Sequence, residues 1–339
     1  MQHVITEKQN LLNELGHLNN PGYALSPLFV YNRKDIKASI WRVKEWDYYA
    51  TLTQDFGVSF TVADLGYSAL VSAVFLDFKS KKVWSKIKTL WFPFGKMNLP
   101  TTSENGNVQY HNQGFDFDFI KEKDQRIIKV KISNFLPQKD FEAELFIKDL
   151  HDDSMVIATP WKENIKAFYY NQKINCMPTI GKVKIGNEIF DFKEDASFSV
   201  LDWGRGVWTY KNTWYWSNAS GIIDGHRFGF NLGYGFGDTS KASENMLFYD
   251  GKAHKLDRVS FVVDNKDFMK PWKFSSNDGR LELIMEPIVD RKDALNYGII
   301  KNIGDQVFGI FSGTVKLDDG TIIEVKKLLG FAEKITNHY

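Results

Sequence analysis

Cysteine is nearly absent: Cys176 is the only one in 339 residues. An internal disulfide is therefore impossible, which fits a reducing compartment, and no thiolate cluster exists to hold structural zinc. Long apolar runs are missing too. The longest uncharged one, 65–76, has 12 residues, too few for a helix to span a bilayer. The opening MQHVITEKQN lacks the apolar centre of a signal peptide. Neither sign of charge dominates, since 43 Lys and Arg face 42 Asp and Glu for a net charge of +1. That balance gives no footprint for nucleic acid or an anionic membrane, and no integral membrane segment is expected. The seven histidines are scattered, with no pair at metal-ligand spacing. No Gly-x-Ser-x-Gly elbow or Cys-His signature occurs. Serine, cysteine and metal hydrolysis all lose ground, and the expectation is a cytoplasmic protein with no cofactor and no metal.

Aromatic residues are abundant, with 27 Phe, 14 Tyr and 10 Trp. Rings pack well on a pleated surface, so this richness favours sheets. From Trp41 onward the hydrophobic period is two: VSFTV turns Val58, Phe60 and Val62 to one face, and IIKVKIS turns Ile128, Val130 and Ile132 inward. Turn pairs such as Asp250-Gly251, Asp278-Gly279 and Asp319-Gly320 punctuate the runs. Only ITEKQNLLNELGHL near the start has helical character, ended by Gly16 and NNPG. The predicted fold is all-β: two closed or nearly closed antiparallel β-barrels, preceded by a short N-terminal helical segment. The expected division is 1–40, 41–200 and 201–339. EWDYYA (45–50) and WYWSNA (214–219) are candidates for equivalent first strands.

One stretch poses a specific question. In GHRFGFNLGYGFGD (225–238), the glycines at 225, 229, 233, 235 and 237 all take odd positions, whereas the even positions carry His226, Phe228, Phe230, Leu232, Tyr234 and Phe236. A strand built this way has an apolar wall on one side and bare backbone on the other, relieved only by Arg227 and Asn231. Three occupants of the bare side remain open: a ring from a neighbouring strand, a ligand, or none, with the glycines serving as bulges that curve the barrel.

The remaining chemistry is carboxylates among aromatics. KEWDYY sets Trp46 and Tyr48 on one face and Glu45, Asp47 and Tyr49 on the other; LDWGRGVWTY places Asp202 and Arg205 among Trp203, Trp208 and Tyr210. A carboxyl inside an aromatic cavity is desolvated, so its pKa rises and it can donate a proton near neutral pH, with rings stabilising a developing cation. Asp202, with Arg205 as its orienting partner, and Asp47 are candidate acids. The plain alternative is an Asp202–Arg205 pair that only fixes a turn. Trp46, Asp47, Trp203, Trp208, Trp214 and Trp216 are candidate ligand contacts, joined by His226, Arg227 and Asn231 over the glycine strip. Asp64 reads as a turn residue, and Glu244-Asn245 as the start of a strand.

YNRKDIK, KEWDYY, FYYNQKINCMP, LDWGRGVWTY, NLGYGFGD followed by ENM, and QVFGIFSGTVKLDDG occur in order. Together they resemble the family called domain of unknown function 2804 over about residues 20–333. EWDYY and LDWG are also similar to signatures of tandem lipocalin-like proteins, among them carotenoid hydratases, tocopherol cyclases and lipocalin-type Diels–Alderases. The resemblance implies two packed calycin-like barrels and acid-assisted hydration or cyclisation of a long apolar substrate, with Asp202 matching the aspartate of one signature. Binding of a hydrophobic lipid or terpenoid-like molecule, with cofactor-free hydration, isomerisation or cyclisation, is the leading expectation. A carrier or sensor without chemistry and a scaffold with filled barrels are its rivals.

Overall fold

The alternation becomes one strand after another, because period-two segments bury their apolar face only as sheet. The computed structural model describes residues 2–297 and 300–338. Among them, a 13-stranded and a 9-stranded sheet carry most of the chain, and neighbours within each are antiparallel. The main path of the first runs Lys82–Trp91, Ser68–Asp77, Phe56–Asp64, Val43–Leu52, Phe198–Val207, Asn164–Ile185, Lys139–Lys148, Gln125–Leu136, Phe115–Lys121 and Val108–Asn112. The second runs from Lys252–Lys255 through Met246–Tyr249, His226–Tyr234, Lys211–Ile223, Ile322–His338, Ile300–Lys316 and Leu281–Tyr297 to the strands Trp272–Ser276 and Val259–Val262. Each sheet curls into a half-barrel, and the two pack together.

Val43–Leu52 and Lys211–Ile223 occupy the same place in their sheets. Each opens a meander of four consecutive strands, and each pairs on its other side with the last strand of its own sheet, Phe198–Val207 or Ile322–His338. EWDYYA and WYWSNA are therefore topological counterparts. LDWGRG lies inside Phe198–Val207, so it closes the first sheet, and the chain crosses to the second between Val207 and Lys211.

Both concave interiors are filled with side chains. In the first, Phe60 packs edge-on against Phe117 and Phe141; in the second, Phe311 meets Phe230 at 5.0 Å and Phe274 at 5.3 Å between ring centroids. Each such ring contributes about 2 kcal/mol through burial alone.

The glycine strip of His226–Tyr234 has a different occupant from those expected. Phe228, Phe230 and Leu232 do form the apolar wall, buried in the second sheet's interior. On the bare side a Cβ at Gly229 would fall 2.5 Å from Cys176 Sγ. Cys176 belongs to the first sheet and adopts φ 56 at a register shift in Asn164–Ile185, so a bulge of one sheet seats in the gap left by the other. Cys176 N–H donates to Ser220 Oγ (3.1 Å) and Asn175 Nδ2 to the Phe230 carbonyl (3.1 Å), fixing the junction. Gly233 leaves space for the Glu244 carboxyl, whose Oε2 lies 2.7 Å from where a Cβ would stand.

The N-terminal helix does not form. Gln9–Asn10 pairs in parallel with Phe29–Val30, and the helical pieces before Val43 are two 3-10 turns, Arg33–Asp35 and Ile40–Arg42. Asn13 Oδ1 accepts the backbone N–H groups of Leu15 (3.0 Å) and His17 (3.1 Å), a local bond that competes with a helix. Leu11 and Leu12, adjacent in sequence, are both buried, which extended chain laid between surfaces allows. Among the described residues no helix is long and apolar enough to cross a membrane.

Candidate functional site

Asp202 and Trp46 meet because their strands are neighbours in register. Asp202 pairs across from Tyr48, and Gly204 from Trp46. A Cβ at 204 would run into the Trp46 ring, so the bare position lets the indole lie flat over the strand. A ring does cover a glycine in this protein, then, but at 204. The indole Nε1 donates to Asp202 Oδ1 (3.1 Å), Asn171 Nδ2 donates to the same oxygen (2.6 Å), and Lys173 Nζ stands 2.8 Å from Oδ2. The Lys173 ammonium also lies 4.1 Å from the centroid of the Trp216 ring, within cation–π distance.

The second sheet repeats this arrangement. Glu333 pairs across from Trp216, and Ile335 from Trp214. Trp214 Nε1 donates to Glu333 Oε1 (3.0 Å), and Gln306 Nε2 donates to Oε2 (3.1 Å). Gln306 reaches Tyr48 Oη as well (3.3 Å) and accepts from Arg291 at 3.3 Å, while Arg291 pairs with Asp293 at 2.8 Å. Complete burial pushes the Glu333 pKa up to about 7, with the nearby Asp202 charge adding to the rise and Trp214, Lys173 and Arg291 opposing it. Burial likewise raises the Tyr48 hydroxyl to about 12 and the Glu244 carboxyl above its ordinary range.

Both indole–carboxyl pairs face one cavity of about 390 Å³, within the range of small-molecule sites. It lies between the outer faces of the half-barrels, in the seam, and inside neither. It is walled by Trp46, Tyr48, Tyr169, Trp208, Trp214, Trp216 and Phe236, together with Leu70, Ile87 and Trp91 from the first sheet and Asp293, Asn302 and Asn337 from the second. Lys44 lines it too, and burial lowers its amine to about 7. Among the described residues no three His, Cys, Asp or Glu side chains converge as metal ligands.

Of the residues singled out from sequence, Asp202, Trp46, Trp208, Trp214 and Trp216 line this cavity. Arg205 does not touch Asp202. Three residues apart on a regular strand, the two point to opposite faces. Arg205 is wholly buried, paired with Asp47 (Nη2 to Oδ1, 2.9 Å), bonded to the carbonyls of Trp46 and Pro100, and stacked 4.1 Å from the centre of Trp203. Asp47 and Trp203 share that face and do not line the cavity. His226 is exposed beside Asp250 (2.6 Å), and Arg227 pairs with Asp152. Asn231 stands behind the cavity wall, accepting from Trp216 Nε1 (2.7 Å).

Sequence reasoning missed Lys173, Glu333, Gln306 and Tyr169. A signal for two existed. In FYYNQKIN the polar Asn171 and Lys173 share a strand face with Tyr169 inside an otherwise apolar run, and in GFAEKIT Glu333 shares one with Phe331 and Ile335.

Among curated proteins none matches the chain. Solved structures do. CghA aligns at a TM-score of 0.56 and 10% identity over 98% of this chain and 97% of its own. A protein of the AttH type from Nitrosomonas europaea aligns at 0.54 and 12% identity over 91% and 97%, and kievitone hydratase from Nectria haematococca at 0.50 and 10% identity over 87% and 88%. These likenesses show a shared fold, the tandem lipocalin-like one. Residues 2–339 match the family model described as domain of unknown function (DUF2804), and the chain belongs to that family.

Proposed function

We propose that the seam cavity binds a hydrophobic small molecule, lipid or terpenoid-like, and that Glu333 protonates it in a cofactor-free hydration, isomerisation or cyclisation. The observation that carries this reading is the Glu333 carboxyl, whose burial lifts its pKa to about 7 beside an aromatic cavity. A proton donor must hold a proton at working pH and face the substrate; the raised pKa of Glu333 and its place in the cavity wall support both. Asp202 takes a different part from the one expected of it. Its oxygens accept from Trp46, Asn171 and Lys173, which suits it to carry negative charge beside a developing cation.

Protonation of a carbon–carbon double bond by Glu333 moves the π electrons onto the new C–H bond and leaves a cation over the rings of Trp214 and Trp216. In hydration a water adds to that carbon and returns a proton to the Glu333 carboxylate, so the net change is one water gained. In isomerisation a neighbouring C–H proton passes to the Glu333 carboxylate instead; in cyclisation a second double bond of the same molecule first attacks the cation, its π electrons forming the ring C–C bond, and a proton beside the new cation then passes to the carboxylate, so composition is unchanged in both.

Mass spectrometry of solvent extracts from the wild type and Glu333→Gln tests the reading. An apolar ligand that differs between the two by one water, or in double-bond position or ring count, supports chemistry at Glu333. The same ligand on both leaves a carrier, and an extract without ligand from either removes the binding reading.

A further inference from the structure

Trp41, Trp91 and Phe92 are 50%, 54% and 53% exposed, an uncommon placement for three large rings on one surface. They form a cluster with the half-buried Phe94: Trp41 lies 5.9 Å from Phe92 and 5.0 Å from Phe94, and Trp91 lies 6.2 Å from Phe92. The exposed Ile40 neighbours Trp41 in sequence. Ile87 and Trp91 are exposed and also line the seam cavity, so the patch is continuous with the cavity's mouth.

The loop that carries these rings is held outward. Phe92 and Phe94 both adopt left-handed backbone, φ 58 and 48, where bulky residues stay only if their surroundings fix them. Here the fixing is visible. The buried Asp64 accepts Gly95 N–H on Oδ2 (2.7 Å) and Gly66 N–H on Oδ1 (3.0 Å), and Phe92 and Phe94 N–H groups bond the carbonyls of Tyr67 (2.8 Å) and Gly66 (3.1 Å). Asp64 is thus a turn residue, as its sequence implied, and it braces two turns at once.

Basic side chains stand beside the rings. Lys37 and Arg42 flank Ile40 and Trp41, and no acid lies between 36 and 44. Lys96 stands exposed in the ring loop itself.

We propose that the patch docks the protein on an anionic phospholipid surface, with Trp41, Trp91 and Phe92 at the headgroup–acyl boundary and the cavity's mouth turned to the lipid. Indole and phenyl rings flanked by Lys and Arg form the chemistry of the membrane interface. Two copies meeting through the same patch would oppose their own positive charge, which favours lipid over self-association. The docking stands on the surface alone and does not require that the cavity perform a reaction.

Flotation of the full chain with phosphatidylcholine vesicles, with and without about one quarter phosphatidylglycerol, tests it. Expected is co-flotation with the anionic vesicles, quenching of tryptophan emission by brominated lipid, and weakening in about 0.5 M salt. The double change W41S/F92S should lower the bound fraction about fivefold, and Lys96→Glu should lower it as well. I165S/I189S, which alters exposed apolar side chains elsewhere, should not. Circular dichroism melts confirm that each variant is folded. The proposal is overturned if wild type stays with neither vesicle, if folded W41S/F92S floats as well as wild type, or if the patch holds a dimer in solution that W41S/F92S dissolves. Ligand content measured on the same preparations keeps the two readings apart: lost flotation with ligand retained removes docking alone, and flotation with an empty cavity removes the ligand reading alone.

Discussion

Asp202 and Glu333 stand at corresponding positions of the two sheets: Asp202 lies across from Tyr48, Glu333 across from Trp216, and each accepts the indole N–H of the tryptophan two residues before that partner. The correspondence is geometric, but the environments differ. Lys173 stands 2.8 Å from Asp202, whereas Glu333 receives neutral donors, Trp214 and Gln306. Two carboxyls in equal places thereby have unequal surroundings.

Glu333 should make stability depend on pH. Its folded pKa, about 7, is raised above the ordinary 4.5, so the stability tied to it is full below 4.5 and lost as pH climbs through 7. The gap corresponds to about 3 kcal/mol. Glu333→Gln removes the titration. Thermal melts of both proteins from pH 4 to 8 should separate progressively between 4.5 and about 7, with the variant the more stable at the alkaline end.

Turnover of the cavity ligand, once extracted and identified, should fall about 10²- to 10⁴-fold in Glu333→Gln while its binding persists, as expected on loss of a general acid. Single-turnover assays with the extracted compound give this directly.

Lys173→Met leaves Asp202 buried and without its cation. Breaking such a pair from one side costs about 3–5 kcal/mol, which urea denaturation would register. Asp202→Asn combined with Lys173→Met should recover part of that loss, because no charge then remains unpaired.

Gly204→Ala places a methyl group in the Trp46 ring. A cost of about 1–3 kcal/mol is expected from overpacking, along with a displaced indole and weaker ligand binding. In a Trp46→Leu background the same change should cost less, because the clashing atoms are gone.

Arg205→Met should lower stability by about 3–5 kcal/mol by stranding the buried Asp47, yet leave ligand content per folded molecule unchanged, because Arg205 faces away from the cavity. A fall in ligand content at full folding would return Arg205 to the site.

Strand periodicity made the all-β, two-barrel architecture legible, and the aromatic strand 226–234 has its apolar wall where alternation put it. Trp46, Asp202, Trp208, Trp214 and Trp216 were legible as cavity residues because acids and indoles cluster locally in sequence. The partners of Asp202 were not, since Lys173 and Asn171 arrive from a strand whose neighbour relation spans about thirty residues, and register is invisible in one sequence. Arg205 misled because it is close to Asp202 along the chain, and in a strand that closeness counts for less than the parity of the spacing. The N-terminal segment misled because Asn13, read as part of a helix, spends its side chain on a turn.

A pocket enclosed by a single barrel would survive separation of the halves. The seam cavity has Asp202 on one side and Glu333 on the other, so it exists only while the sheets adhere. Any molecule seated there touches both and acts as a removable rivet, and its departure loosens the grip of one half on the other.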